Sequence, residues 1–304
     1  MIKRTIEISK EPAHLAVKLD QLLIQQRGTT EAIKASVPCE DIGMLLVDQP
    51  GVTYSHAALA RLMDFGAAVV VCGNNHLPAG ILLPLANHTE VVWRINDQMA
   101  ASKPLCKRLW QQIVIAKIKA QAANLVRESP QARKLITLAS EVKSGDPSNV
   151  EAQAAKVYWS AWLGDGQNFK RDPEGDGLNG LLNYGYAVVR AAMARALVAA
   201  GLIPALGIHH TNRSNPFCLA DDLMEPIRPL VDARVRALHQ QGKVILDQAS
   251  KATLLEVLTA QVRAGSPTGP LMVALHRTVA SLVRCYQGQE KRLLLPVAIE
   301  PQPC

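Results

Sequence analysis

Short alternating or apolar runs dominate the chain up to about residue 91. Alternation of hydrophobic and polar positions is typical of a half-buried strand, whereas a short continuous apolar run is typical of a buried one. Turn residues separate the runs at 49–51, 73–75 and 78–80, where glycine or asparagine accepts a positive φ. The pattern therefore predicts β-strands at 4–9, 14–19, 21–25, 43–47, 67–72 and 80–85.

One helix is predicted among these strands. Ser55 is a candidate N-cap, Leu59, Leu62 and Met63 recur on one helical face, and Gly66 is a candidate C-cap. Residues 1–91 are therefore predicted to form a small, mainly β domain.

The hydrophobic period becomes helical from about residue 92. Trp110, Ile113, Val114, Ile118 and Leu125 form an apolar stripe along one long predicted helix. Residues 92–304 are predicted to form a larger all-α domain, which makes the fold class α+β. The candidate catalytic residues described below all lie in this helical region. Residues 92–304 are therefore also the predicted catalytic domain.

Composition narrows the class of protein. The chain has 304 residues, of which 48% are hydrophobic, and this is enough to bury a substantial core. The longest apolar stretch, 191–206, is interrupted by Arg195 and Pro204, so no membrane span is expected. The N-terminus lacks the features of a signal peptide, and we expect a cytoplasmic protein. Six scattered cysteines without a Cys-x-x-Cys pair are expected to be free thiols.

The charge balance favours a polyanionic partner. Lysine and arginine exceed aspartate and glutamate by 33 to 26, which gives a net charge of +7 and makes nucleic acid the leading candidate. Residues 94–128 are locally basic and include Lys107, Lys117 and Lys119. This segment has two interpretations, a solvated helix face or a surface that contacts phosphates.

Three separated residues suggest a metal site. Glu151, His210 and Glu225 provide a mixed oxygen and nitrogen donor set that suits Mg²⁺ or Mn²⁺. Asp222 precedes Glu225 by three residues, so a helix would place both carboxylates on one face, where their repulsion needs a cation to offset it.

Each of these residues also has an ordinary structural interpretation. Ser148 and Glu151 have the spacing of a capping box, and His209 and His210 could simply be hydrogen-bonded at the end of an element. Asp222 and Glu225 could compensate a helix dipole, since Pro226 suggests that a helix has only just begun there.

A family resemblance favours the metal interpretation. The segment around Glu151, the run Gly-Leu-Leu-Asn-Tyr-Gly-Tyr at 180–186 and the stretch 207–232 resemble, in order and spacing, the universal CRISPR-associated spacer integrase, the first of the Cas proteins. The sequence is most similar to members from type II systems, which use a single large effector nuclease. One departure is Ala152, where the family often has glycine.

The resemblance implies a site and a set of partners. Glu151, His210 and Glu225 would be the metal ligands for Mg²⁺ or Mn²⁺, and Asp222 the nearby acid, so that the expected catalytic residues are Glu151, His210, Asp222 and Glu225. His209 would not be a ligand. Expected partners are double-stranded DNA, a second copy of the chain in a homodimer, a small ferredoxin-like second Cas protein and the RNA-guided effector nuclease; no membrane partner is expected.

The implied activity is that of a metal-dependent DNA endonuclease and integrase of CRISPR adaptation. It would insert new spacer DNA into the repeat array by transesterification with a DNA 3′-hydroxyl. Two alternatives remain open: a metal-dependent phosphodiesterase of small substrates, and a non-catalytic DNA-binding scaffold.

Overall fold

The fold was analysed in a computed structural model, which describes residues 3–26, 33–85, 88–164 and 169–299. The chain divides into two compact units, residues 1–89 and 90–304. The sequence placed this division after residue 91, which is the first residue of the helix Val91–Met99 in the second unit.

The first unit contains two four-stranded sheets and one helix. One sheet has the order β1-β5-β7-β8 and the other the order β4-β3-β2-β6. Strands β1, β5 and β7 run parallel and β8 is antiparallel to β7. The elements are β1 (Arg4–Ile8), β2 (Ala13–Lys18), β3 (Gln21–Gln26), β4 (Ile33–Pro38), β5 (Ile42–Val47), β6 (Thr53–Tyr54), α1 (His56–Asp64), β7 (Ala68–Cys72) and β8 (Pro78–Leu82).

The hydrophobic pattern explains most of this unit. Every residue of β5 is buried, as expected for a continuous apolar run in a central parallel strand. Ser55 caps α1 by accepting a hydrogen bond from Ala58 N, so the N-cap prediction is confirmed. The C-cap residue is Phe65, and Gly66, the predicted C-cap, is the next residue, with φ +71°. Strands β4 and β6 were not predicted, because β4 is largely exposed and lacks alternation and β6 has only two residues.

The second unit is built mainly of helices. They are α2 (Val91–Met99), α3 (Lys103–Asn124), α4 (Pro130–Glu141), α5 (Val150–Ala161), α6 (Leu178–Ala199), α7 (Cys218–Met224), α8 (Arg228–Gln240), α9 (Gln248–Leu255) and α10 (Leu271–Tyr286). A 3₁₀ turn, Glu225–Ile227, joins α7 to α8. The predicted stripe of α3 is buried, and Leu125 lies at the C-cap of that helix.

The prediction that this unit is all-α is wrong. Strands β9 (Gln261–Arg263), β10 (Thr268–Pro270) and β11 (Val297–Ala298) form a small antiparallel sheet in the order β10-β9-β11. Elements of two or three residues are too short to show a period of two, and only the central residue of β9 is buried. The sequence pattern therefore carries no signal for them.

Close packing of α6 against α8 depends on one glycine. A Cβ on Gly185 would come into hard contact with Val231 Cγ1, so only glycine allows the two helices this approach. Within the described ranges no helix is long and apolar enough to cross a membrane. Cys39, Cys72, Cys106, Cys218 and Cys285 are free thiols, as predicted, and Cys304 lies outside the described residues.

Candidate metal centre

Two carboxylates from separate elements converge on one ammonium group. Glu151 lies in the first turn of α5, Glu225 opens the 3₁₀ turn after α7, and Lys117 projects from α3. Lys117 Nζ lies 2.5 Å from Glu151 Oε1 and 2.5 Å from Glu225 Oε2. The structure therefore brings together two of the three predicted ligands around a cation supplied by the chain itself.

Sequence reasoning missed the position of Lys117. It was grouped with the basic residues of 94–128, but it follows Ile113 by four residues and Val114 by three, which places it beside the buried stripe of α3. Its side chain is only 12% exposed. A lysine at helical spacing from an apolar stripe is the signal that would have found it, because such a lysine needs a buried anionic partner.

Glu225 is held from both sides. Arg228 Nε donates a 2.9 Å hydrogen bond to Oε1, and the Arg228 guanidinium lies over the Tyr186 ring at 4.6 Å. Oε2 is buried and makes no hydrogen bond of acceptable geometry, although Lys117 is in ion-pair contact with it. Burial acts to raise the pKa of Glu225, but the charges of Arg228 and Lys117 outweigh it and bring the pKa to about 2.

His210 is oriented by Asp222. His210 Nδ1 lies 2.5 Å from Asp222 Oδ1, while the other oxygen, Oδ2, accepts hydrogen bonds from Ile208 N at 2.6 Å and His209 N at 2.8 Å. Because Nδ1 is engaged in this way, Nε2 is the ring nitrogen left for a ligand. The hydrogen bond to Asp222 raises the pKa of His210, and the charges of Glu225 and Glu151 raise it further against the effect of burial.

The loop that carries His210 is fixed by an aromatic residue and a glycine. The Trp110 ring stacks on His209 with centroids 4.2 Å apart and meets His210 edge-on at 5.4 Å. A Cβ on Gly207 would come into hard contact with His210 O and lie 2.9 Å from Asp222 Oδ2. Trp110 was predicted only as a core residue and Gly207 had no predicted role, so the positioning roles of both residues were missed.

The capping-box interpretation of Glu151 is wrong. Asp146 Oδ1 accepts a 2.8 Å hydrogen bond from Val150 N, and Asp146 Oδ2 accepts a 3.0 Å bond from Glu151 N. No side-chain cap is made by Asn149, the N-cap residue. Asp146 reaches the first turn of α5 because the backbone turns through positive φ at Gly145, Asp146 and Asn149. The Glu151 side chain is thereby free to face Lys117.

The helix-dipole interpretation of Asp222 is also wrong. Helix α7 ends at Met224, so Asp222 lies in its last turn, where the dipole disfavours a negative charge. Asp222 is fully buried and its charge is balanced by backbone N–H groups and His210. Pro226 does mark the start of a helical segment, because Glu225 and Pro226 open the 3₁₀ turn that leads directly into α8. The dipole interpretation therefore fails for Asp222 but agrees with the position of Glu225.

The donors fit a divalent ion, although the side chains are arranged around the internal cation. Within the described ranges no group of three or more His, Cys, Asp or Glu side chains is gathered in a metal-binding arrangement. The fit rests on a different observation: a positive charge already stands between Glu151 and Glu225, and Glu225 Oε2 lacks a satisfying hydrogen bond. Two carboxylates and an imidazole are a set that Mg²⁺ or Mn²⁺ accepts. The ligand assignment of Glu151, His210 and Glu225 stays a prediction.

The remaining basic candidates lie at the surface. Lys107 and Lys119 are exposed, and their contact with DNA stays a prediction. Trp162 is fully buried and Trp159 is partly buried against Trp162 and Phe169, as expected for core residues.

Residues 6–263 match the family model of CRISPR associated protein Cas1. The chain belongs to the Cas1 family. Among curated Cas1 relatives, it is similar to the CRISPR-associated endonuclease Cas1 of Neisseria meningitidis, with 39% identity over 93% of the chain and 92% of that protein. The family resemblance drawn from the sequence is therefore confirmed.

Two solved structures share the Cas1 fold with this chain. One is a casposase bound to its integration product, with a TM-score of 0.78 and 19% identity over 95% of the chain and 92% of that protein. The other is a Cas6-RT-Cas1–Cas2 complex, with a TM-score of 0.75 and 17% identity over 96% of the chain and 36% of that chain. At these identities the likeness concerns the fold alone.

Proposed function

We propose that the chain is a metal-dependent DNA endonuclease and integrase of CRISPR adaptation. Its reaction would insert spacer DNA into the repeat array through attack of a DNA 3′-hydroxyl on a repeat phosphodiester. The observation that carries this proposal is the convergence of Glu151 and Glu225 on one cation, close to a histidine oriented by Asp222. Membership of the Cas1 family and the endonuclease named among its relatives support it.

The side chains divide the work of the site. Glu151, Glu225 and His210 Nε2 would hold Mg²⁺ or Mn²⁺, which when bound supplies charge that stabilises an in-line displacement at phosphorus. Arg228 keeps Glu225 ionised and in place. The attacking 3′-hydroxyl loses its proton to solvent as its oxygen bonds to phosphorus, and the bond from phosphorus to the 3′ oxygen of the repeat strand breaks. The leaving oxygen takes up a proton, so one phosphodiester replaces another.

Asp222 acts through His210 in this proposal. Both of its oxygens are occupied by His210 and the backbone of 208–209, and the residue is fully buried. An acid in these surroundings sets the orientation and tautomer of the imidazole, as carboxylates behind metal-binding histidines commonly do. We therefore assign Asp222 a positioning role in place of contact with the attacking hydroxyl.

DNA and a second Cas protein are the proposed partners. A net charge of +7 favours a polyanion, and the fold neighbours include a casposase bound to its integration product and a complex that contains Cas2. Insertion of both ends of a fragment needs two active sites, which a homodimer paired through a small ferredoxin-like second Cas protein would supply. The effector nuclease is a further proposed partner.

The non-catalytic scaffold is disfavoured by the cap of α5. That alternative required Glu151 to serve as a helix cap, and Asp146 performs this task instead. The basic charge of the chain and its Cas1 membership disfavour a phosphodiesterase of small substrates.

A strand-transfer assay tests the proposal. A short duplex with free 3′-hydroxyls is incubated with supercoiled plasmid carrying a repeat, the second Cas protein, and Mg²⁺ or Mn²⁺. We expect joined product from the wild type and a loss of at least about 100-fold with His210→Ala, Glu151→Gln or excess chelator. His56→Ala and Glu141→Gln replace exposed residues of α1 and α4 and are matched controls that should retain activity. Undiminished product from His210→Ala would contradict the proposed site.

A further inference from the structure

Lys117 occupies the space between two carboxylates that would otherwise repel each other. Its Nζ is 2.5 Å from an oxygen of Glu151 and 2.5 Å from an oxygen of Glu225, and the three side chains are 12%, 24% and 8% exposed. At this degree of burial water screens the charges only weakly, so the ammonium is the chief positive charge that links the two glutamates.

Arg228 is placed differently. Its Nε binds the other oxygen of Glu225, Oε1, and its guanidinium rests on the Tyr186 ring. Arg228 thus neutralises Glu225 through the oxygen that Lys117 does not contact, and it is held by two contacts. Lys117 is attached to α3 by a flexible four-carbon chain and carries a compact charge, which makes it the cation that can leave.

We propose that Lys117 is a competitor of the divalent ion for Glu151 and Glu225. The inference rests on the proposed function, which assigns these glutamates to the ion. Lys117 Nζ contacts Glu151 Oε1 and Glu225 Oε2, and the ion would be held by the same two carboxylates. Its binding would therefore break both ion pairs and release the lysine side chain.

Two consequences follow from this competition. The site is assembled before the ion arrives, because Lys117 already holds the glutamates together. Affinity for the ion is lower than the donor set alone would give, because two buried ion pairs are lost on binding. The released ammonium is then free to contact a phosphate of bound DNA.

A titration of the purified chain with Mn²⁺ measures the competition directly. Lys117→Met keeps a side chain of similar length without the charge, and we expect its Mn²⁺ dissociation constant to be at least about tenfold lower than that of the wild type. Lys117→Arg keeps a competing cation and should stay within about threefold of the wild type. Glu151→Gln should abolish the binding heat, which shows that the titrated ion occupies this site.

A second measurement uses the wild-type chain alone, so it does not depend on the folding of a variant. Lysine amines are methylated reductively with formaldehyde and a borane, with and without Mn²⁺, and modification is quantified by peptide mass spectrometry. Lys117 should be protected without Mn²⁺ and become several-fold more reactive with it. Lys119, which is exposed and two residues along the same helix, is the internal control and should react equally in both samples.

The inference is overturned if Lys117→Met binds Mn²⁺ no more tightly than the wild type, or if Lys117 stays protected when calorimetry shows that Mn²⁺ is bound. These failures differ from a failure of the proposed function. If strand transfer needs the ion while the Lys117 results are negative, only the competition is rejected. If the wild type binds no Mn²⁺ and strand transfer continues in chelator, the metal centre itself is rejected and the competition with it.

Discussion

Asp232 is a buried carboxylate that accepts hydrogen bonds from the hydroxyl groups of Tyr158, at 3.0 Å, and Tyr186. Burial raises its pKa to about 7, against the effect of the two hydroxyls and of the charges of Arg228 and Lys117. Between about pH 4 and pH 7 the folded chain therefore holds a proton that the unfolded chain releases. The free energy of unfolding is greatest below this window and falls as pH rises through it, by an amount on the order of 4 kcal/mol.

This linkage predicts the behaviour of Asp232→Asn. The amide does not ionise, so the loss of unfolding free energy between pH 5 and pH 8 should be smaller by about 2–3 kcal/mol than in the wild type. Urea denaturation at both pH values measures it. Asp176→Asn, at an exposed position, is the control and should follow the wild-type profile. Parallel profiles for Asp232→Asn and the wild type would show that Asp232 is ionised throughout.

Gly207 provides a second prediction at the residue scale. In Gly207→Ala the new methyl group would collide with His210 O and crowd Asp222, so the loop must shift. We expect a loss of about 2 kcal/mol of stability and strongly reduced strand transfer. Gly180→Ala on α6 has open space around it and gains helix propensity, so it should be neutral or stabilising. Thermal unfolding and the plasmid assay on both variants test this, and an active Gly207→Ala enzyme would contradict it.

Residue types identified candidate donor atoms, but the geometry of the site could not be predicted from them. Glu151, His210 and Glu225 were singled out because of their donor atoms and a family resemblance. Lys117 was read as a surface cation and Asp146 was not considered, because ion pairs and caps between residues distant in sequence leave no local pattern. Only the apolar stripe next to Lys117 gave a usable signal.

At the scale of elements, the start of α5 depends on Asp146. Its carboxylate binds two N–H groups of the first turn and adds a negative charge at the positive end of the helix dipole. Asp146→Ala should cost about 1–2 kcal/mol of unfolding free energy. Ser148→Ala removes the residue once expected to cap the helix and should change stability by less than about 0.5 kcal/mol. Chemical denaturation of the two variants measures the loss of unfolding free energy in each. A larger loss in Ser148→Ala than in Asp146→Ala would support the capping-box interpretation instead.

The packing of α6 on α8 gives a prediction that involves two positions. Gly185→Ala should lose about 1–3 kcal/mol because its methyl group meets Val231. Val231→Ala removes the obstructing methyl groups, so the double variant should be more stable than the sum of the single effects, by about 1 kcal/mol. Denaturation curves of the wild type, the two single variants and the double variant measure this double-mutant cycle. If the losses of the two single variants simply add, the contact between Gly185 and Val231 does not limit how closely α6 and α8 pack.

Element types followed from the sequence where the apolar period was long enough. The stripe of α3 and the continuous run of β5 were recognised because each buries one whole face or every position. The strands of the second unit were missed because two or three residues cannot display a period. Pro226 correctly indicated the start of a helical segment, but the sequence did not show that this segment opens as a 3₁₀ turn or that Asp222 belongs to the preceding helix, α7.

For the whole molecule, the net charge of +7 predicts binding to DNA that depends strongly on salt. Displacement of counterions from phosphates should lower the affinity for duplex DNA at least about tenfold between 50 and 200 mM salt. Lys119→Ala should reduce the slope of log affinity against log salt by about one if this exposed lysine contacts a phosphate. Fluorescence anisotropy with a labelled duplex measures both. An unchanged slope would place Lys119 on a solvated face.

The remote cap supplied by Asp146 also bears on the genetics of the protein. Since α5 does not need the Glu151 side chain to begin, a chain altered at Glu151 should keep this helix. Under the proposed function, such a chain would still enter the proposed assembly with a second copy and the second Cas protein. In a cell that produces both the wild-type chain and the altered chain, the altered chain would replace active copies in the proposed assembly. Loss of this carboxylate would therefore behave as a dominant-negative allele, whereas loss of the whole chain would be recessive.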